Sequence, residues 1–273
     1  MTLGRFFRTP KGVLILALGA LAVLATVGQG VRLVAPDLLV GVGVAMAIDV
    51  AMLRWRKGRW IFPDGALLTG LIVAMVLSPR EPWHVVAVTS AIGVVSKYVA
   101  RIGTANVFNP AALALVSTFY IYDTAQNWWG ALPELSPYAI IALFAAGIIV
   151  ARTVDKLPVV VAFLGAYYAL ITIAAFGGDP ARVAELYRAP DLNAALFFAF
   201  FMITDPPTSP PKARDQVIYG VIVAAVSFAA FETIGAVYFL LAGVLVANVW
   251  EAWRRARAKD AKTRAAETST RPA

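Results

Sequence analysis

The sequence predicts an all-α membrane protein: about ten transmembrane helices forming two inverted five-helix repeats, with short or broken helices 3 and 8. Three observations predict it. The 273 residues are 60% hydrophobic and only 15% charged, with a mean hydropathy of +0.74, whereas an ordinary soluble domain is about 45–50% apolar and about 25% charged. A soluble chain of this length has no core large enough for that much apolar surface, which excludes a soluble enzyme and a nucleic-acid binder. The apolar residues fall into ten runs, with most of the basic residues gathered in alternate connections. Residues 127 positions apart also match where two short runs begin and end.

A helical span needs about 20 mostly apolar residues, fewer where the helix is broken or re-entrant. The runs lie at roughly 13–34, 38–53, 65–78, 84–100, 107–122, 137–151, 157–176, 192–204, 216–231 and 234–250. The first follows Arg5, Arg8 and Lys11; its length and the lack of a small-x-small cleavage site fit an uncleaved anchor better than a signal peptide. Ten spans put both termini on one side. That side carries 20 of the 24 Lys and Arg, leaving Arg32, Arg80, Arg182 and Arg188 on the other. Positive charge stays cytoplasmic. Residues 1–12 are therefore expected to be a cytoplasmic N-terminus, 13–250 a single transmembrane domain with halves at about 13–122 and 137–250, and 251–273 a solvated, charged cytoplasmic tail. The same partition places acidic, base-free 123–137 outside, with Trp128, Trp129 and Tyr138 at headgroup depth.

The internal match gives the repeat its direction. Asp64 opens the third span and Pro79 closes it; Asp191 and Pro206 bracket the eighth, and Gly93 matches Gly220. Five spans per half is an odd number, so the halves run in opposite senses. At 1.5 Å per residue, 191–204 covers about 20 Å of a roughly 30 Å hydrocarbon core. Lipid cannot satisfy the terminal amides and carbonyls of such a segment, and short spans at matched positions point to a site near the midplane.

The chemistry available is narrow. With no Cys and a single His, His84, the chain has no disulfide, thiolate nucleophile, Cys-held cluster, bis-His haem or multi-His metal site. Any redox chemistry needs a cofactor held by amides, hydroxyls and backbone. Two stretches offer these. Thr204-Asp205-Pro206-Pro207-Thr208-Ser209-Pro210-Pro211 has four prolines in six positions, which forbid helix and favour extended backbone. Thr204, Asp205, Thr208 and Ser209 there suit a cation, the polar rim of a cofactor, or simply an Asx-type turn. Gly103-Thr104-Ala105-Asn106-Val107-Phe108-Asn109-Pro110 places two amides before a span-opening proline. They fit the donor–acceptor edge of a flavin ring, and equally helix capping with Asn109 as N-cap and Pro110 at N1.

The motifs carry a resemblance. Asp64-Gly65-Ala66-Leu67-Leu68-Thr69-Gly70, Ser78-Pro79, Pro82-Trp83, Lys97, Asn106-Val107-Phe108-Asn109-Pro110-Ala111 and Phe201-Met202-Ile203-Thr204-Asp205-Pro206-Pro207-Thr208-Ser209 follow one another as in a single family. From about residue 60 to 250 the chain resembles the NqrB/RnfD family, membrane proteins of the Na⁺-translocating NADH:quinone oxidoreductase and of the Rnf electron-transport complex. The resemblance implies a ten-helix inverted repeat related to urea and ammonium channels. It also implies a membrane complex with other membrane and peripheral subunits that couples electron transfer to ion movement in a bacterial inner membrane. A non-covalent flavin, riboflavin or FMN, is implied at Asn106, Asn109 and Pro110. The relatives attach a second FMN covalently through a Thr in a long outer segment; here 123–137 is short and lacks that motif, with Thr124 and Ser136 its only hydroxyls apart from Tyr122 and Tyr138 at its edges. No covalent FMN is expected. A solute or ion channel on the same fold and a cofactor-free scaffold are the alternative readings.

Other polar groups rank lower. Asp49 is placed to pair with Arg54 at the inner interface. Lys97 and Arg101 suit neutralising a flavin phosphate, and equally snorkelling to the interface. Glu232 falls at an outer turn, His84 at the outer interface, and the Phe197, Phe198, Phe200 and Phe201 run reads as lipid-facing.

Overall fold

The computed structural model describes residues 3–102, 105–135, 138–178 and 180–269. Its helices are α1 (Leu3–Phe6), α2 (Pro10–Gln29), α3 (Val31–Lys57), α4 (Asp64–Val76), α5 (Trp83–Val99), α6 (Pro110–Tyr122), α7 (Ala139–Thr153), α8 (Leu157–Gly177), α9 (Pro180–Glu185), α10 (Asp191–Phe201), α11 (Ala213–Ile234) and α12 (Phe239–Ser269). Leaving aside the short α1 and α9, each helix corresponds to one of the ten apolar runs. By length and composition four can cross a membrane outright: α2, α3, α8 and α11.

Local chemistry sets the boundaries. Thr9 caps α2 by accepting from Gly12 N–H at 3.2 Å, with Pro10 in the first turn. The first two runs meet at one residue, Gly30, whose φ of 87° is cheap only for glycine. The second helix therefore starts earlier than the sequence pattern suggests and includes Asp37. At its far end Arg54, Arg56 and Lys57 face the negative helix terminus, and Gly58 closes it in the left-handed conformation.

The two halves run in opposite senses. Helix α4, 13 residues long, starts beside Lys97 and Lys11 and ends against 125–129. Helix α10, 11 residues long, starts near Ala131, whose carbonyl accepts from Asn193, and ends at Asn109. At 1.5 Å per residue they span about 20 and 16 Å. Helix α3 packs on α5 as α8 packs on α11, and α5 packs on α6 as α11 does on α12. The matched glycines serve this packing. A Cβ on Gly93 would lie 2.8 Å from Thr69, and one on Gly220 2.8 Å from the Val159 carbonyl.

Three expectations need correction. Trp128 and Trp129 do not face headgroups but are buried in the protein: they are 7% and 0% exposed, and Trp129 Nε1 donates to the Ala74 carbonyl at 2.7 Å. Asn127 and Trp128 N–H both donate to Val76 O, so this segment caps the end of the short helix α4. The four phenylalanines of α10 are core, not lipid-facing. Phe198 stacks edge-on against Phe163 and Phe200 against Phe144, because α10 is surrounded by protein. Residue 251 does not begin a free tail: α12 continues through it, and buried Glu251 accepts from Arg254 at 2.8 Å and Arg255 at 2.6 Å. Gly103, Thr104, Ser136, Pro137 and 270–273 lie outside the described residues.

Candidate functional site

A cavity of about 1490 Å³ opens at the end where α4 begins and α10 ends. Both halves contribute to its wall, with Lys97, Asn106, Asn109 and Pro110 from the first and Thr204 and Asp205 from the second. Of the seven residues singled out from the sequence, these six line it. Thr208 does not line it; it is buried behind Asp205. The rest of the wall is largely apolar, including Leu14, Leu68, Ile72 and Phe201, with Lys11, Arg56, Asp49 and Asp64 near the polar end.

Asn106 sits on a two-residue hairpin, β1 (Arg101–Ile102) against β2 (Ala105–Asn106), that leads into α6. Asn109 is the N-cap of α6: its Oδ1 accepts from Ala112 N–H at 3.0 Å, with Pro110 next. It also joins the halves. Its Nδ2 donates to Met202 O at 3.1 Å and its backbone N–H donates to Asn248 Oδ1 at 2.7 Å. Asn248 in turn donates to Thr208 O and Tyr219 Oη, at 3.3 and 2.6 Å. A freed carbonyl at the end of α10 thus finds its donor on the opposite half, as an intramembrane helix end requires.

The proline-rich stretch is a compact turn rather than extended backbone. Thr208 and Ser209 N–H donate to Asp205 O at 3.2 and 3.0 Å, and Thr208 Oγ1 donates to Asp205 Oδ2 at 2.8 Å. This closure on the Asp205 main-chain carbonyl, with the Thr208 hydroxyl on its carboxylate, is a backbone turn rather than an Asx turn, and it overrides the extended preference that the prolines impose singly. Thr204 Oγ1 donates back to Phe200 O at 2.6 Å. The turn is clamped from outside: Arg255 donates to the Pro207 and Ser209 carbonyls, and Lys156 Nζ to those of Ser209 and Pro210. Burial pushes the Asp205 carboxyl above the usual carboxylate range, against the pull of the Thr208 hydroxyl and of Lys97, Lys156 and Lys11. Burial, with Arg255 adding repulsion, lowers Lys156 to about 8.

Lys97 turns inward rather than snorkelling, donating to Gly65 O at 2.6 Å in the first turn of α4. Asp49 accepts from Tyr98 Oη at 2.6 Å, not from Arg54, which donates instead to Gly58 O. Lys11 and Asp64 form an ion pair at 2.7 Å on the cavity wall. At the opposite end His84 is exposed beside Trp83 and Tyr122, and Glu232 is exposed on the last turn of α11. Asn248, Lys156 and Arg255 were not singled out by sequence reasoning. Asn248 had a usable signal, an amide near the end of the last apolar run; the two cations were hidden among other loop charges.

Among the described residues, ten main helices in two opposed halves, with a polar-ended cavity where the halves meet, define an integral membrane protein of inverted-repeat architecture. The chain belongs to the NQR2, RnfD, RnfE family, which matches it twice, over residues 8–135 and 124–252, once per half. It is a membrane subunit of an Rnf/Nqr-type redox complex. No curated protein matches it.

Proposed function

We propose that this protein holds a flavin, riboflavin or FMN, non-covalently in the cavity between Asn106, Asn109 and the 204–209 turn, and couples its electron transfer to ion movement. The observation that carries the reading is the convergence of Lys97, Asn106, Asn109, Thr204 and Asp205, from both halves, on one cavity. At about 1490 Å³ with largely apolar walls, the cavity has room for a three-ring aromatic system. A bound flavin supplies one- and two-electron transfer.

The protein groups have distinct tasks. Asn106 offers a donor and an acceptor in one plane, matching a ring edge. Asn109 has spent its carbonyl on Ala112 and one amide hydrogen on Met202, leaving a second hydrogen for a ligand. Lys97 keeps donors beyond its bond to Gly65 and supplies positive charge near the ring or its side chain. The Thr204 oxygen remains an acceptor after donating to Phe200. Thr208 acts through Asp205, fixing its carboxyl group.

The test is the flavin content of purified Asn106→Leu and Asn106→Leu/Asn109→Leu proteins. Each lost ring hydrogen bond is worth about 0.5–1.5 kcal/mol. Flavin is expected to wash out of the double variant and to be held more weakly by the single one, whose α6 cap is intact. Full retention in both would remove the site. A flavin-free wild type would leave a channel as the better reading.

A further inference from the structure

The connection from α3 to α4 concentrates positive charge. Residues 54–60 read Arg-Trp-Arg-Lys-Gly-Arg-Trp and are all exposed, Trp55 and Trp60 by 78% and 77%. Arg54, Arg56, Lys57 and Arg59 put four cations within six positions, with no carboxylate among them. None of the four forms an ion pair among the described residues. Arg54 donates to Gly58 O and lies over the Trp60 ring, and Arg56 lies over the Tyr98 ring. Lys57 and Arg59 flank Gly58, whose φ of 66° ends the helix. The negative end of the α3 dipole offsets about half a unit charge, which leaves most of this charge without a counter-ion.

The first cations after the apolar run of α12 are used differently. Arg254 pairs with Asp215 and Glu251, and Arg255 with Glu251 and the carbonyls of the proline-rich turn, so both are spent inside the protein. Depth marks 54–60 further. Helix α3 has 27 residues, about 40 Å at 1.5 Å per residue, against a hydrocarbon core of roughly 30 Å. From Leu38 onward it exposes no charge until Arg54. Its charged last turn therefore stands where the helix leaves hydrocarbon for headgroups. Exposed indoles suit that level, with the ring against acyl chain and the N–H toward water or headgroup. An acidic protein surface matches the charge as well, but the depth and the two bare indoles favour lipid.

We propose that 54–60 binds the headgroup of an anionic phospholipid, with Arg56, Lys57 and Arg59 on the phosphate oxygens and Trp55 and Trp60 beside the upper acyl chain. A cluster of cations immediately beyond a transmembrane helix attracts anionic lipid, each cation near the surface contributing about fivefold in affinity. Guanidinium groups add paired donors that fit a phosphate. The site borders the cavity, whose wall includes Arg56 and Lys57, and does not depend on flavin being bound.

The test is tryptophan fluorescence of the full chain in phosphatidylcholine vesicles holding a graded minor fraction of dibrominated phosphatidylglycerol or, in parallel, dibrominated phosphatidylcholine. Bromine quenches indoles that it touches. In wild type, half-maximal quenching should need at least about fivefold less of the anionic lipid. That preference should disappear in Lys57→Gln/Arg59→Gln and in Trp55→Phe/Trp60→Phe, all exposed positions where folding is undisturbed. It should survive in Arg257→Gln/Lys259→Gln, which removes the same charge from α12. Equal quenching by the two lipids in wild type, or an undiminished preference in Lys57→Gln/Arg59→Gln, would overturn the site. So would its loss in Arg257→Gln/Lys259→Gln. Binding of poly-glutamate by wild type with no preference between the lipids would assign the patch to an acidic protein instead, and would overturn it too.

Discussion

Asn109 caps α6 with its oxygen and satisfies the end of α10 with its nitrogen, so substitutions there separate two roles. Asn109→Ser keeps a capping oxygen but leaves Met202 O without its Asn109 donor. It should cost about 1–3 kcal/mol, the penalty of a buried unsatisfied carbonyl, and Asn109→Leu more, because the cap is lost too; thermal melts of both variants check the order. Lys156 makes a pH prediction. Its ordinary value of 10.5 falls to about 8 in the folded chain. Between those values the unfolded chain holds a proton that the folded chain has released, so stability rises with pH across that window. Below about 8 both states are protonated and the full burial penalty is present. Lys156→Met should flatten this rise, as seen by comparing melting temperatures from pH 7.5 to 10.5.

At the scale of elements, the short helix α4 survives because 127–129 cap it. Trp129→Phe keeps the packing but removes the hydrogen bond to Ala74 O, and should lower stability by about 1–3 kcal/mol. Flavin content should stay unchanged, since the change is at the far end; a parallel melt and absorbance measurement on one sample checks both. The elements also show what the sequence made legible. Ten apolar runs became the ten main helices, and the Asp64/Asp191 and Pro79/Pro206 pairs marked the two short, opposed ones. Burial was harder to read. Phe197–Phe201 and Trp128-Trp129 are apolar or aromatic whether their neighbour is lipid or another helix, and composition does not distinguish the two. Asp205 was legible as a polar group at a helix end with a turn among its readings, but not that the turn closes on its main-chain carbonyl, because singly each proline favours extension while the Asp205 hydrogen bonds form only once the chain bends.

For the whole molecule, one end gathers the cavity, the Lys11–Asp64 pair and the Arg255 and Lys156 clamps, while the other holds Asp37, the buried Trp128 and Trp129, and His84. The 20-to-4 division of Lys and Arg predicts that the cavity end and both termini face the cytoplasm; a periplasm-active reporter fused to the C-terminus should be silent, and strong activity would reverse the orientation. The central claim is that the two halves meet around a non-covalent flavin. The most direct measurement is the visible absorption of purified wild-type protein before and after denaturation and removal of small molecules. Flavin absorption that is present at first and passes wholly into the small-molecule fraction is the predicted result. Absorption that stays with the denatured chain, or none at the start, would contradict it.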